Sequence, residues 1–149
     1  MTYATFPQSI AVNNSNATMS PADIVNEYLR IVMIPDPEAA MRFVSPHMQI
    51  RFTGGRPMKV PADCSAFNAL RYKWVKKRIE ETEVVNGGTN LKTVVYSLGT
   101  LYGEWPDGTP FEGNHYVDRY IVSHGLITSL EVWNDSAEWL MVRAGLVTL

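Results

Sequence analysis

Apolar positions repeat with a helical period in the first third of the chain. Between residues 24 and 32, apolar side chains recur three and four positions apart, which is the spacing of one helix face. Ser20 and Pro21 come just before this stripe and supply a capping hydroxyl and a proline for the first helical turn. The pattern therefore predicts a helix that begins at Ser20 and ends before Pro35 and Pro37.

Two further helices and one strand are predicted before residue 78. The helices cover residues 37–44 and 61–77, and a strictly alternating strand covers residues 48–53. In the 61–77 helix we expect Phe67, Leu70 and Trp74 on the buried side. The lysines at positions 73, 76 and 77 are expected on the solvated side.

From residue 78 onward the apolar positions alternate with a period of two. Turn residues divide this part into four predicted strands, at residues 78–85, 91–105, 113–123 and 126–134. A short closing helix is predicted after residue 135. Because the helices come first and the strands later, the order indicates an α+β domain with helices on one face of a curved antiparallel sheet.

Composition narrows the class of protein. The chain has 149 residues, 46% of them hydrophobic, which is enough for one domain with a sizeable core. Residues 1–19 are polar, so we predict a flexible N-terminal arm (1–19) and a single domain (20–149). Thirteen basic and fifteen acidic residues leave no positive excess for nucleic acid.

The sequence has no pattern typical of a membrane span, a secretory signal, a disulfide framework or a metal site. No apolar run has membrane-spanning length, and no secretory signal pattern opens the chain, so we expect a cytoplasmic protein without membrane contact. The single cysteine excludes an internal disulfide framework. No histidine pair has metal-ligand spacing, so we expect neither a metal nor another cofactor.

Alternation along the strands sorts side chains onto two sheet faces. On the last hairpin, Asn114, Tyr116, Asp118, Val132 and Asn134 share the predicted inner face. On the 91–105 strand we assign the set Leu98, Thr100 and Tyr102 to that face. The opposite face then carries too much apolar surface for solvent, from Val95, Leu101, Val117, Ile121 and Trp133. We therefore expect a homodimer through the outer face.

Asp118 is the strongest candidate for chemistry. Its same-face neighbours along the strand are Tyr116 and Tyr120, and a carboxylate in such surroundings is costly to keep charged. The protonated acid could donate a hydrogen bond to an enolate, whereas the ionised form could act as a general base. The alternative is a buried aspartate satisfied by its neighbours, with no chemical role.

The element order, together with the run Gly-Glu-Trp-Pro-Asp-Gly-Thr-Pro-Phe-Glu-Gly-Asn-His-Tyr-Val at residues 103–117 and His-Gly-Leu-Ile at 124–127, resembles the nuclear-transport-factor-2-like superfamily. Within it, the sequence is most similar to SnoaL-like polyketide cyclases and phenazine-biosynthesis A/B proteins. The resemblance implies a cone-shaped, cystatin-like α+β barrel with three helices, a deep apolar pocket and usually a dimer.

Catalytic residues of these relatives map only in part. Ketosteroid-isomerase-like members pair a tyrosine and an aspartate in an oxyanion hole, and Tyr28 and Asp118 match them. Their general base would fall near Arg51 or Phe52, so it is missing. The Asp-Arg-Asp set of epoxide-hydrolase-like members falls on Leu98, Thr100 and Val132, which excludes that activity.

Two other family positions also differ in this chain. The helix histidine of the phenazine-biosynthesis proteins corresponds to Asn68. Their acid on the last strand corresponds to Val132, with Glu131 next to it on the opposite face unless a bulge turns it inward.

The sequence therefore predicts a catalytic pair and a set of ligand-binding residues around it. Asp118 and Tyr28 form the pair, and the ligand-binding set is Phe52, Asn68, Trp74, Leu98, Thr100, Tyr102, Asn114, Tyr116, Val132 and Asn134. The predicted activity is cofactor-free proton transfer by an isomerase, dehydratase or cyclase, on a polyketide- or steroid-like or aromatic substrate. The alternative is a non-catalytic protein that binds a hydrophobic ligand or mediates assembly.

Overall fold

A computed structural model describes residues 15–86 and 92–148 of the chain. The first helix, α1, is Pro21–Val32, and the Ser20 hydroxyl caps it by accepting a hydrogen bond from the Asp23 amide at 3.1 Å. The other helices are α2 at Pro37–Ala40, α3 at Pro61–Arg71 and α4 at Ser136–Arg143. No helix in the described ranges is both long and apolar enough to cross a bilayer.

Six strands form one curved sheet. They are β1 (Val44–Phe52), β2 (Arg56–Met58), β3 (Trp74–Asn86), β4 (Thr93–Glu104), β5 (Pro110–Ser123) and β6 (Leu126–Asn134). Their order in the sheet is β2-β1-β6-β5-β4-β3. All neighbours are antiparallel except β1 and β6, which run parallel. The predicted α+β architecture is confirmed, and β2 is an addition to it.

The N-terminal segment is described only from residue 15. Residues Ser15–Thr18 form one turn of 3-10 helix, and the Asn16 side chain is buried, with its amide donating to the Arg42 carbonyl at 2.7 Å. The prediction of a flexible arm otherwise falls on residues 1–14, which lie outside the described residues.

The main core lies between α1 and the sheet. One face of α1 is buried, with Ile24, Val25 and Leu29 almost inaccessible to solvent. These side chains pack with apolar residues of β1, β4, β5 and β6. The helix is therefore held across four strands, which brings its Tyr28 over the sheet.

The third helix is shorter than predicted. It ends at Arg71, and Tyr72 is already in an extended conformation. The segment from Trp74 to Lys77, expected to be helical, instead opens β3 and pairs with β4 from Trp74 opposite Glu104 onward. The helix prediction for residues 72–77 is wrong because strand pairing supplies hydrogen bonds that outweigh helix propensity.

The two faces of β4 are the reverse of the prediction. Directly paired residues on neighbouring strands share a face, and Ser97 pairs with Asp118 while Leu101 pairs with Asn114. The inner face of β4 therefore includes Val95, Ser97 and Leu101, all of them buried. Three β4 residues that the sequence analysis assigned to the inner face lie on the outer face: Leu98, Thr100 and Tyr102.

Candidate functional site

The fold encloses a small cavity between α1, α3 and the inner face of the sheet. This inner chamber has a volume of about 90 Å³. Its wall is mostly apolar and aromatic. Six of the residues predicted from the sequence line it: Tyr28, Phe52, Asn68, Asp118, Val132 and Asn134.

A second cavity of about 390 Å³ adjoins the first. This outer chamber is bounded on its far side by Ile34, Pro35 and Trp74, so the predicted ligand-binding residue Trp74 belongs here. Seven residues line both chambers, so the two cavities are adjacent: Val32, Met33, Ser65, Asn68, Tyr72, Val75 and Lys76.

Five predicted ligand-binding residues line neither chamber. Leu98, Thr100 and Tyr102 lie on the outer face of the sheet, so their assignment to the pocket is wrong for the reason given above. Asn114 and Tyr116 do point inward, and the Asn114 amide nitrogen and the Tyr116 hydroxyl are used within the core, whereas Asn114 Oδ1 has no partner among the described residues. The Asn114 amide donates to the Ser136 hydroxyl at 3.1 Å, and the Tyr116 and Ser97 hydroxyls are 3.0 Å apart.

The Asp118 carboxylate is the most buried charged group of the site, with only 1% of the residue exposed. Its Oδ2 atom accepts hydrogen bonds from the Lys77 ammonium and from the Tyr120 hydroxyl, the latter at 3.1 Å. Its Oδ1 atom is buried and has no hydrogen-bond partner among the residues that the structure describes. One oxygen is thus fixed by two donors, and the other is unpartnered in that part of the chain.

Lys77 is a residue of the candidate site that the sequence analysis missed. Its side chain is 18% exposed, and Nζ lies 4.3 Å from the centroid of the Tyr116 ring in addition to contacting Asp118. The ammonium lies inside because β3 alternates from Trp74, which turns Val75, Lys77 and Ile79 inward. An alternating strand begun at Trp74 would have identified it.

The ion pair changes the expectation for Asp118. The sequence analysis left open whether Asp118 is a neutral hydrogen-bond donor or an ionised base, and it treated burial of the carboxylate as costly. Lys77 and Asp118 form a salt bridge, which compensates the cost of burying the carboxylate. The structure therefore does not support an unpaired, protonated Asp118.

Tyr28 is a neutral phenol at the wall of the inner chamber. Its ring packs edge-on against Tyr120, with centroids 6.0 Å apart. Burial, and then the charges of Cys64 and Asp118, raise the pKa of Tyr28 well above its usual range. Its hydroxyl forms no hydrogen bond with any residue that the structure describes, so it can donate to a molecule in the chamber.

Cys64 and Glu131 are two further ionisable residues near the site, and they lie on opposite sides of the sheet. Cys64 lines the inner chamber, and burial raises the pKa of its thiol to about 12. Glu131 lies on the outer face, where Arg119 donates to it at 3.1 Å, so it is not turned into the pocket. Within the described ranges, no three His, Cys, Asp or Glu side chains lie together as a metal-ligand set.

The matches between this chain and known proteins are matches of structure. No protein-family model matches the chain, and no curated protein is detectably similar in sequence. An NTF2-like protein of unknown function from Burkholderia pseudomallei superposes with a TM-score of 0.64 at 17% identity, covering 91% of this chain and 99% of that one.

Two other solved structures carry names that refer to small molecules. TerC, co-crystallised with polyporic acid, matches with a TM-score of 0.62 at 16% identity, covering 81% of this chain and 96% of that one. A proposed SnoaL-like polyketide cyclase from Jannaschia sp. matches with a TM-score of 0.56 at 15% identity, covering 82% and 93%. The chain has the NTF2-like fold, which confirms the resemblance drawn from the sequence at the level of the fold.

Proposed function

We propose that this protein is a cofactor-free enzyme that moves a proton on a small, mostly apolar carbonyl compound. The observation that carries the proposal is the Oδ1 atom of Asp118, which is buried and has no hydrogen-bond partner among the described residues, in a residue that lines the inner chamber. A carboxylate in a dry cavity, with one oxygen held and the other unpaired, is a suitable general base.

The surrounding groups fit the charge that such a step creates. When Asp118 Oδ1 accepts a proton from the carbon next to a carbonyl group, negative charge moves onto the carbonyl oxygen. The Lys77 ammonium, released from its carboxylate partner, and the neutral Tyr28 hydroxyl are donors placed to stabilise that oxyanion. Tyr120 keeps Asp118 oriented through its hydrogen bond at 3.1 Å.

The names of the structural neighbours support the substrate class. One is described as a SnoaL-like polyketide cyclase and another was crystallised with polyporic acid. An isomerase, dehydratase or cyclase acting on an aromatic or polyketide-like carbonyl compound fits the same chemistry. Each of these reactions begins with removal of a proton next to a carbonyl group.

Solvent deuterium exchange tests the proposal without knowledge of the product. The protein is incubated in D₂O with a panel of apolar ketones and 1,3-dicarbonyl compounds, and loss of the α-proton signal is followed by NMR. We expect wild type to accelerate exchange for at least one compound, and Asp118→Asn to lower that rate by about 10²- to 10⁴-fold.

Glu131→Gln is the matched control, because Glu131 is a carboxylate on the adjacent strand that faces away from the chambers. It should keep the wild-type rate. Equal exchange by Asp118→Asn and wild type would refute the role of Asp118.

The alternative is a binding protein without turnover. The Lys77–Asp118 pair favours this alternative, because the two charges compensate each other without a ligand. Saturable binding of an apolar ligand, together with no exchange for any compound of the panel, would support this alternative.

We also propose that the outer sheet face forms a homodimer. Trp133 is 51% exposed there, and Leu98, Val117 and Ile121 lie on the same face only partly covered. Trp133→Glu should convert a dimer to a monomer in sedimentation velocity, while a monomeric wild type would refute the proposal. Dimerisation and a cytoplasmic location both remain predictions from the sequence.

A further inference from the structure

We propose that Lys77 forms a covalent imine with a small ketone or aldehyde in the inner chamber. The new bond joins its Nζ atom to the carbonyl carbon, so Lys77 acts as a nucleophile as well as the ion-pair partner of Asp118. The inference rests on the proposed function only for the claim that the captured compound then loses a proton to Asp118.

The Lys77 amine lies in the interior, unlike the other lysines that the structure describes. Lys77 is on the inner face of β3, lines the inner chamber and has a side chain that is 18% exposed. Its Nζ atom donates to Asp118 Oδ2 and lies 4.3 Å from the centroid of the Tyr116 ring. The exposed lysines are at positions 59, 73, 76 and 92. A lysine in an apolar pocket is the kind that forms imines with carbonyl substrates.

Asp118 is placed to carry the protons that imine formation moves. An ammonium group must lose a proton before its nitrogen attacks, and Asp118 Oδ2 already accepts a hydrogen bond from that group. The nitrogen then bonds to the carbonyl carbon, and the carbonyl oxygen takes the proton from Asp118. Asp118 next removes a proton from the nitrogen and passes it to the hydroxyl group, which leaves as water while the C=N bond forms.

The product keeps the two charges that the site already holds. Lys77 begins as a cation beside a carboxylate, and the iminium ion formed from it is also a cation beside that carboxylate. No uncompensated charge is therefore buried at either end of the reaction, which would be costly. The iminium ion can also keep the contact of Lys77 with the Tyr116 ring.

The inner chamber fits a compact carbonyl group. Its volume is about 90 Å³, whereas an apolar cavity of roughly 150 Å³ accommodates benzene, so it takes only a few carbon atoms. The Tyr28 hydroxyl lines the same chamber and forms no hydrogen bond with the residues that the structure describes. It can therefore donate to the carbonyl oxygen while the nitrogen attacks.

The imine gives the proposed proton transfer a second route. An iminium ion withdraws electrons from the adjacent carbon more strongly than a ketone does. Asp118 Oδ1, which has no partner among the described residues, accepts the proton from that carbon, and the C–H electrons form the C=C bond of a neutral enamine. Return of a proton to carbon and addition of water release the carbonyl compound and restore Lys77.

Reductive trapping tests for the imine directly. The protein is incubated at pH 7 with butan-2-one and cyanoborohydride, which reduces an iminium ion to a stable secondary amine. Tandem mass spectrometry of a digest gives the modified fraction of each lysine over time. We expect Lys77 to be labelled roughly 10²-fold faster than the exposed Lys59, because only Lys77 has a positioned acid–base group beside it.

Lys77→Arg and Arg78→Lys are the matched variants. Arginine keeps a positive charge beside Asp118 but forms no imine, so the fast phase of labelling should be lost in Lys77→Arg. Arg78 is the next residue of β3, is exposed and lines neither chamber. In Arg78→Lys the introduced amine should be labelled as slowly as Lys59, while Lys77 keeps its fast rate.

Two results would overturn the imine: labelling of Lys77 no faster than that of Lys59, and a fast phase that survives in Lys77→Arg. The map of labelled lysines in wild type decides the first of these even if Lys77→Arg folds poorly. Trapping reports the C–N bond and requires no removal of a proton from carbon. A failure here is therefore distinct from a failure of the deuterium-exchange test on Asp118→Asn.

Discussion

At the scale of single residues, the buried Lys77–Asp118 pair determines what the site can do. Asp118 is almost fully buried and Lys77 is 18% exposed. The attraction between two such charges offsets the cost of taking them out of water without necessarily adding stability. Removal of only one partner leaves the other charge buried and uncompensated, which is far more costly than removal of both.

Substitution of Lys77 alone should therefore destabilise the fold more than substitution of the pair. We expect Lys77→Met to lower the free energy of unfolding by about 3 kcal/mol or more at pH 7, because Asp118 loses its cation. Lys77→Met combined with Asp118→Leu should recover most of that loss. Urea unfolding of both variants measures the difference, and a loss below about 1 kcal/mol for the single variant would contradict it.

Cys64 should react slowly despite lying at a cavity. Burial raises the pKa of its thiol from 9.0 to about 12, so at pH 8 the thiolate is about a thousandfold scarcer than in an exposed thiol. We expect alkylation by iodoacetamide at pH 8 to be slow in the native protein and fast in urea. Mass spectrometry over time follows it, and equal rates in both states would contradict the prediction.

At the scale of elements, the pairing of β3 with β4 places Lys77 inside. The register shifts between Ile79 and Glu81, opposite the stretch of β4 around Gly99. A Cβ atom on Gly99 would lie 2.1 Å from the Arg78 carbonyl oxygen, and one on Gly103 would lie 2.2 Å from that of Trp74. The two glycines thus allow the backbone of β3 to approach closely at both ends of the segment that carries Lys77.

Gly99→Ala should loosen this pairing. The added methyl group meets rigid backbone, so we expect a loss of about 1–3 kcal/mol in the free energy of unfolding. Thr100→Ala, at the next position but on the outer face, should change it by less than about 0.5 kcal/mol. Similar urea midpoints for the two variants would show that the close approach does not constrain β3.

At the scale of the whole molecule, the site combines groups that are distant in sequence. Tyr28 comes from α1, Lys77 from β3 and Asp118 from β5, and the chambers lie where these elements meet. Several phenols and one thiol are buried with them, and burial raises the pKa of Tyr28, Tyr116, Tyr120 and Cys64. Because the folded protein favours the neutral forms of these phenols and of the thiol, its free energy of unfolding depends on pH in the alkaline range.

Stability should fall as the pH rises above about 9. Unfolding exposes Cys64 and Tyr116, whose pKa values drop from about 12 to their ordinary 9.0 and 10.0. In that window the folded state binds more protons than the unfolded state, so the free energy of unfolding decreases with pH.

Urea unfolding at pH 8, 9, 10 and 11 measures this decrease. Cys64→Ala should flatten the part of the curve just above pH 9, because the thiol is the group with the lowest ordinary pKa of the set. Constant stability from pH 8 to 11 would contradict the prediction.

The sequence by itself determined the order of the elements apart from β2, and the inward position of Asp118 and Tyr28. Capping at Ser20, the apolar stripe of α1 and the alternation of β5 and β6 are local signals, and local hydrogen bonds and side-chain periodicity suffice to produce them. The same signals gave the α+β class and placed Phe52, Val132 and Asn134 at the inner chamber.

Only the tertiary structure decided which face of β4 is buried and which cation meets Asp118. Alternation divides β4 into two faces, but the register with β5 decides which of them is the inner face. This register places Leu98, Thr100 and Tyr102 on the outer face. Pairing of β3 with β4 likewise turned Lys77 from a predicted helix surface into the cavity. Strand pairing joins residues distant in sequence, so a local pattern separates the two faces of a strand without fixing which face is buried.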